Sequence, residues 1–124
     1  MDFDPLYFRM TAAHLTDATC VVALAGEIDL TQAAELDDEL KSLVDDGTAK
    51  IIVDLLEVPF LESSALGVLL KYSRLLRSNG GELTLVTDDV RVLRVIEITG
   101  LAEHFRFERT LSEAVDNAIE AAYT

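Results

Sequence analysis

Residues 50–70 are KIIVDLLEVPFLESSALGVLL, and this stretch decides the fold. The apolar run at 51–53 is too short for a free-standing helix and is typical of a strand covered on both faces. Residues 50–55 are therefore predicted to form the centre of a sheet. Pro59 disfavours helix at Val58, and regular structure resumes only after Glu62. The stretch predicts a strand, a short loop and a helix in succession.

The predicted helix after Glu62 has one inward face and a defined end. Gly80 and Gly81 end it, because glycine readily adopts the backbone conformation that closes a helix. The inward stripe recurs at helical spacing and consists of Leu66, Leu69, Leu70, Ser73 and Leu76.

Upstream of this stretch, the sequence predicts a hairpin followed by a helix. Residues 6–12 and 19–25 have the composition of strands, and Thr16 and Asp17 lie between them at a turn. Asp29 with Gln32 three residues later is a capping-box pattern. Apolar residues then recur at helical spacing until Gly47, namely Ala33, Leu36, Leu40, Leu43 and Val44.

Downstream, strands and helices continue to alternate. Residues 82–86 and 105–107 are predicted strands, and a short helix lies between them. Asp88 and Asp89 begin that helix, which ends at Gly100 and faces the core through Val92, Leu93 and Ile96. A second capping box, Thr110 with Glu113, begins a last helix whose apolar face is Leu111, Ala114, Val115, Ala118, Ile119 and Ala122.

This order of elements predicts an α/β fold. Strands that alternate with helices form parallel sheets with right-handed crossovers, and the opening hairpin makes the sheet mixed. We expect a mostly parallel sheet of about five strands with about four helices. The 124 residues, half of them apolar, have the size and composition of one domain, so residues 1–124 are predicted to be a single domain.

Charge and hydropathy restrict the partners and the compartment. The formal net charge is −13, which repels nucleic-acid phosphates and anionic lipid surfaces. No stretch approaches the roughly 18 consecutive apolar residues of a membrane-spanning helix. Residues 1–4 lack the basic start of a signal peptide. We therefore expect a cytoplasmic protein that binds neither nucleic acid nor membranes.

The sequence contains no pattern typical of an enzyme, a metal site or a cofactor site. Cys20 is the only cysteine and lies in an apolar run, which favours a small buried hydrophobe. His14 and His104 are far apart and have no metal-ligand spacing around them. No phosphate-binding glycine loop or nucleophile elbow surrounds Ser63. Catalysis is not predicted, and no cofactor or metal is expected.

Two hydroxyls follow the central strand, Ser63 and Ser64, at the predicted start of a helix. This position exposes them and places free backbone N–H groups beside them. The simplest interpretation is structural, since serine is among the best N-cap residues. From the residues alone, one of the two serines is predicted to cap the helix.

Around these serines the chain resembles the STAS family (sulfate transporter and anti-sigma factor antagonist), in particular its free-standing bacterial anti-sigma factor antagonists. The family pattern D-L-x-x-V-x-F-[LM]-D-S-[ST]-G-L aligns with residues 54–66. Residues 26–29, GEID, match the family's G-E-[IL]-D, and residues 98–101, ITGL, give a third match. The matching residues in the longest segment are Asp54, Leu55, Val58, Phe60, Leu61, Glu62, Ser63, Ser64, Ala65 and Leu66, followed by Gly67, Val68 and Leu69.

The resemblance implies a partner-switching protein that regulates transcription. Such a protein binds an anti-sigma factor with serine kinase activity, and the kinase then phosphorylates the first serine of the motif, here Ser63, with Ser64 the less favoured acceptor. A serine phosphatase reverses the modification. The partner-binding residues that the resemblance implies are Glu27, Asp29, Thr31, Glu62, Ser63, Ser64, Ala65 and Gly67.

Two residues depart from the family pattern, and other functions stay open. Glu62 replaces the usual Asp, and Ala65 replaces the usual Gly. One alternative is a STAS interaction module of another assembly, such as a lipid-transporter subunit or a signalling scaffold, in which Ser63 only caps the helix. Another is a nucleotide sensor that uses the helix start as an anion site. A third is an enzyme with Ser63 as nucleophile.

Overall fold

The computed structural model describes residues 7–123, and the side chains of residues 7–119. In chain order the elements are β1 (Arg9–His14), β2 (Thr19–Ala25), α1 (Leu30–Asp45), β3 (Lys50–Glu57), α2 (Ser63–Ser78), β4 (Glu82–Val86), α3 (Val90–Ile98), a short 3-10 helix (Ala102–His104), β5 (Arg106–Glu108) and α4 (Leu111–Tyr123).

The five strands form one sheet in the order β1-β2-β3-β4-β5. The hairpin strands β1 and β2 are antiparallel, and every later neighbour pair is parallel. The central position of β3 and the mixed, mostly parallel sheet confirm the predicted α/β fold.

Two cores lie on the two faces of the sheet. The larger contains alternate residues of the central strands, such as Val22, Val53 and Leu85, packed against α1, α2 and α3. On the other face, Val21, Ile52 and Val86 pack against α4 through Ala114 and Ala118. The helices on the larger core therefore follow the strands in order across one face, with α2 in the middle.

The bounds of both edge strands differ from the prediction. The first strand was expected at 6–12 but runs over Arg9–His14, because Ala13 and His14 continue the pairing opposite β2; Leu6 lies outside the described residues. The last strand was expected at 105–107 but is Arg106–Glu108, because Phe105 ends the 3-10 helix that the sequence did not predict.

The predicted inward faces are largely correct. Ala33, Leu36, Leu40 and Leu43 of α1 are buried, whereas Val44 is half-buried. The inward face of α2 also includes Tyr72, which the periodicity missed; its hydroxyl donates to the Asp37 carbonyl at 3.1 Å. The remaining predicted inward residues that are only half-buried are Leu70, Leu93, Leu111, Val115 and Ile119, and the Ala122 side chain lies outside the described part.

Candidate functional site

The first residues of α1, α2 and α3 lie at one edge of the sheet. Each of these helices follows the carboxyl end of a parallel strand, β2, β3 or β4. The loops before α1 and α2 also bond to each other. The Ile28 N–H donates to the Phe60 carbonyl at 3.3 Å, and the Glu62 N–H donates to the Ile28 carbonyl at 3.1 Å. The GEID segment and the serine motif are thus adjacent.

These backbone bonds determine where α2 begins. Because Glu62 is bonded to Ile28, its backbone stays extended (φ −76°, ψ 157°), and Ser63 becomes the first helical residue. The N-cap residue is therefore Glu62, and its side chain makes no cap hydrogen bond. The prediction that a serine caps this helix is wrong, since Ser63 and Ser64 both lie within its first turn.

The two serines have different environments. Ser63 is exposed, whereas Ser64 is half-buried. The Ser64 hydroxyl donates to Glu62 Oε1 at 3.2 Å. The hydroxyl of Ser63 is therefore the more accessible of the two.

The neighbouring helices α1 and α3 both begin with a capping side chain. The Asp29 carboxylate accepts the Thr31 N–H at 3.0 Å, and Gln32 Oε1 accepts the Asp29 N–H at 3.3 Å, which confirms the predicted capping box. The Asp89 carboxylate accepts the Arg91 N–H at 2.8 Å. Of the three helix starts at this edge, only that of α2 lacks a side-chain cap.

Most of the residues predicted to bind a partner lie at the surface. Five of the eight are exposed, namely Glu27, Asp29, Thr31, Ser63 and Gly67, and Glu62 and Ser64 are half-buried. Ala65 is the exception. Its side chain is fully buried in the larger core, because it begins the inward stripe of α2. The methyl group of Ala65 therefore does not extend toward a partner.

Large apolar side chains are exposed at the same edge as Ser63, and sequence reasoning did not select them as contact residues. Leu30 begins α1 and is 70% exposed, Phe60 precedes α2 and is 50% exposed, and Val90 begins α3 and is 67% exposed. The exposure of Leu30 could have been predicted from the sequence, because this residue lies outside the apolar stripe of α1. Together with Ser63 and its acidic neighbours, these three side chains define what we call the docking edge.

The charges at the docking edge are mostly acidic. Glu27, Asp29 and Glu62 form no ion pair with any other described residue. Arg91 is already paired, with its guanidinium 2.6 Å from Asp89, and this contact lowers the pKa of the Asp89 carboxyl to about 2. A depression of about 400 Å³ separates the loop before α2 from α3 and reaches from Glu27 to Arg91.

No second reactive centre accompanies this edge within residues 7–123. No cluster of His, Cys, Asp or Glu there is suited to hold a metal ion. His14 is exposed, and Cys20 is fully buried, which raises the pKa of its thiol. Among the helices described, none has the length and apolar content to cross a bilayer.

The comparisons with known proteins agree with this architecture. The STAS domain family model matches residues 10–114. The anti-sigma-B factor antagonist of Staphylococcus aureus (strain NCTC 8325 / PS 47) is 34% identical over 82 residues, which span 66% of this chain and 76% of that protein. A crystal structure of an anti-sigma factor antagonist from Mycobacterium paratuberculosis superposes with a TM-score of 0.82 at 27% identity, covering 93% of this chain and 97% of that one.

The same fold recurs in the anti-sigma factor antagonist SpoIIAA. Its unphosphorylated form has a TM-score of 0.78 at 24% identity and covers 88% of this chain and 95% of its own. Its phosphorylated form, from Bacillus, has a TM-score of 0.71 at 23% identity, with coverage of 88% and 98%. The family model spans the sheet, the docking edge and the beginning of α4. The chain belongs to the STAS domain family, and its relatives include anti-sigma factor antagonists.

Proposed function

We propose that this protein is an anti-sigma factor antagonist that binds a serine kinase of the anti-sigma class through the docking edge and is released when Ser63 is phosphorylated. The observation that carries the proposal is the position of Ser63. It is an exposed hydroxyl on the first residue of an uncapped helix, at the sheet edge where Leu30, Phe60 and Val90 are also exposed. The relatives named as anti-sigma factor antagonists supply the class of partner.

The start of α2 is suited to receive a phosphate. The first N–H groups of a helix have no partner within the helix, and the helix dipole favours negative charge at that end. Phosphorylation adds about −1.5 to −2 charges at pH 7. Because no side chain caps α2, the phosphate competes with no existing cap bond. We therefore expect the fold to persist after modification, and the fold of phosphorylated SpoIIAA supports this expectation.

The complex with a partner responds differently to the same charge. Docking would exclude water from an edge that already carries Glu27, Asp29 and Glu62, none of which forms an ion pair with another residue that the structure describes. One unit-charge repulsion at 4 Å costs roughly 1 kcal/mol in water and roughly 4 kcal/mol in a partly shielded interface. Since 1.4 kcal/mol is about tenfold in affinity, one phosphate can weaken binding on the order of a thousandfold.

The remaining parts of the proposal follow from this mechanism. Exposed Thr31 and Gly67, near the starts of α1 and α2, complete the partner surface, while Ala65 contributes only by packing the first turn against the core. A serine phosphatase restores the active form. The protein itself catalyses no reaction, acts in the cytoplasm and forms a single STAS domain over residues 1–124.

Capture experiments with Ser63 variants test the proposal. Immobilised Ser63→Ala protein is expected to retain an anti-sigma kinase from a lysate of the source cells, and Ser63→Glu protein is expected to retain at least tenfold less, because Glu places a charge at the helix start. Mass spectrometry identifies the retained kinase. Incubating that kinase with the unmodified chain and ATP should then add one phosphate, at Ser63.

Ser42→Glu is the matched control. Ser42 is an exposed serine near the carboxyl end of α1, at the opposite end of that helix from the docking edge, so the change adds the same charge away from that edge. Capture by this variant should equal that of the unmodified protein. Equal capture by Ser63→Ala and Ser63→Glu, or recovery of transporter subunits in place of a kinase, would refute the proposal.

A further inference from the structure

The hydrogen bond between Ser64 and Glu62 has a consequence for the choice of acceptor. Two adjacent hydroxyls lie in the first turn of α2, and a kinase that docks at this edge approaches both. Their environments differ, since Ser63 is exposed and Ser64 is half-buried with its hydroxyl 3.2 Å from Glu62 Oε1. We infer that Glu62 is a specificity-determining positioning residue that holds the Ser64 hydroxyl and thereby directs phosphorylation to Ser63.

The chemistry of phosphoryl transfer explains why this hydrogen bond matters. The serine oxygen attacks the γ-phosphorus of ATP, the new O–P bond forms as the bond to ADP breaks, and the hydroxyl proton passes to a base of the kinase. The Ser64 hydroxyl donates its proton to Glu62 of the same protein, so the proton points away from the base of the kinase. Ser64 must lose this bond before it can react, whereas the Ser63 side chain makes no hydrogen bond within the described residues.

The backbone around Glu62 keeps its side chain near Ser64. The Glu62 N–H donates to the Ile28 carbonyl at 3.1 Å, and the Glu62 carbonyl accepts the Ala65 N–H at 3.0 Å. Both bonds anchor the residue at the junction of loop and helix. The carboxylate makes no cap bond to the helix backbone, so it is available as an acceptor for the Ser64 hydroxyl.

This inference rests on the proposed function, and its test uses the kinase recovered with the Ser63→Ala protein. In a Ser63→Ala background, Ser64 is the remaining acceptor of the pair, and its labelling by that kinase with γ-labelled ATP is measured by mass spectrometry. Adding Glu62→Ala is expected to raise the Ser64 labelling rate by about tenfold, because one hydrogen bond to a charged acceptor is lost. Glu62→Gln retains an uncharged acceptor oxygen, which bonds about half as strongly, and should raise the rate by no more than about threefold.

The outcomes separate this inference from the proposed function. Kinase affinity, measured with ADP for every variant, normalises the rates for any change in docking. If Ser63 of the unmodified chain is labelled but Glu62→Ala leaves Ser64 as slow as before, the inference is wrong and the proposed function stands. If Glu62→Gln accelerates labelling as much as Glu62→Ala, the hydrogen bond is not the cause. If neither serine of the unmodified chain is labelled, both fail.

Discussion

The starts of α1 and α2 lie side by side at the docking edge but are built differently. In α1, Asp29 and Gln32 satisfy each other's backbone N–H groups in a complete capping box. In α2, Glu62 occupies the same structural position, yet its side chain bonds to Ser64 and not to the helix backbone. The two starts share a backbone connection through Ile28, so the difference arises from their side chains.

The capped start of α1 favours stability, whereas the uncapped start of α2 favours regulation by phosphate. A closed cap stabilises a helix but occupies the N–H groups that an incoming anion would use. An uncapped start lacks that stabilisation, but its first backbone N–H groups stay available for phosphate. The docking edge combines two capped helices, α1 and α3, with one uncapped helix between them that carries the exposed hydroxyl.

The largest expected effect comes from breaking the connection between the two starts. Ile28 is fully buried, and its backbone pairs with the segment from Phe60 to Glu62. Ile28→Ala should lower the free energy of unfolding by about 2 to 5 kcal/mol, the usual cost of a cavity of this size. Urea denaturation measures the change. Leu30→Ala, two residues away but 70% exposed, should stay within about 0.5 kcal/mol; equal losses in both would contradict this account.

Removing the Asp29 cap of α1 should have the next largest effect on the free energy of unfolding. Asp29→Ala should cost about 1 kcal/mol, because it removes the acceptor for the Thr31 N–H. Glu62→Ala should cost less, since no cap bond is lost. The change removes a favourable charge at the helix start and the hydrogen bond from Ser64, whose half-buried hydroxyl can bond to water instead. Chemical denaturation of the two variants in parallel gives the comparison. A loss for Glu62→Ala as large as that for Asp29→Ala would mean that α2 is capped after all.

A shorter carboxylate should convert the uncapped start into a capped one. Glu62 already has the extended backbone of an N-cap residue, and Asp is among the best residues at that position. Glu62→Asp is therefore expected to raise the free energy of unfolding by about 0.5 to 1 kcal/mol. Denaturant midpoints of the variant and the parent protein test this, and an unchanged or lower midpoint would show that side-chain length is not the reason for the missing cap.

The smallest effect concerns acid stability at the start of α3. Arg91 lowers the pKa of the Asp89 carboxyl from 3.8 to about 2 in the folded protein. A lowered carboxyl pKa stabilises the fold fully above the unfolded value near 4, and this contribution is lost as the pH falls toward 2. Asp89→Asn should therefore reduce the acid-induced loss of thermal stability between pH 4 and 2, whereas Asp88→Asn, at an exposed neighbour, should not. An unchanged pH profile in Asp89→Asn would contradict the assignment.

The sequence was sufficient to predict the fold because its signals are local and consistent. The apolar run 51–53, the Asp29 capping box and the Gly80 helix end each follow from a few neighbouring residues, and the structure confirms them. The bounds of the edge strands depend on pairing at a distance. The end of β1 at His14 is determined by its partner Cys20, which the residues of β1 do not reveal.

The candidate site was only partly predictable for the same reason. The position of Ser63 followed from its place after the central strand, but the first residue of α2 depends on bonds from Ile28, 35 positions away along the chain. Contacts between distant parts of the chain therefore make Glu62, and not a serine, the N-cap residue of α2. The burial of Ala65 was available from helical spacing, since it lies four residues before Leu69 on the inward stripe.

Titration calorimetry with the kinase recovered by Ser63→Ala protein tests the central claim most directly. The protein is compared in two forms, unmodified and phosphorylated stoichiometrically at Ser63. We predict that both forms unfold at similar temperatures and that the phosphorylated form binds on the order of a thousandfold more weakly. Equal affinity of the two forms, or unfolding of the phosphorylated form, would contradict the claim that the uncapped start of α2 accepts a charge that the docked complex cannot.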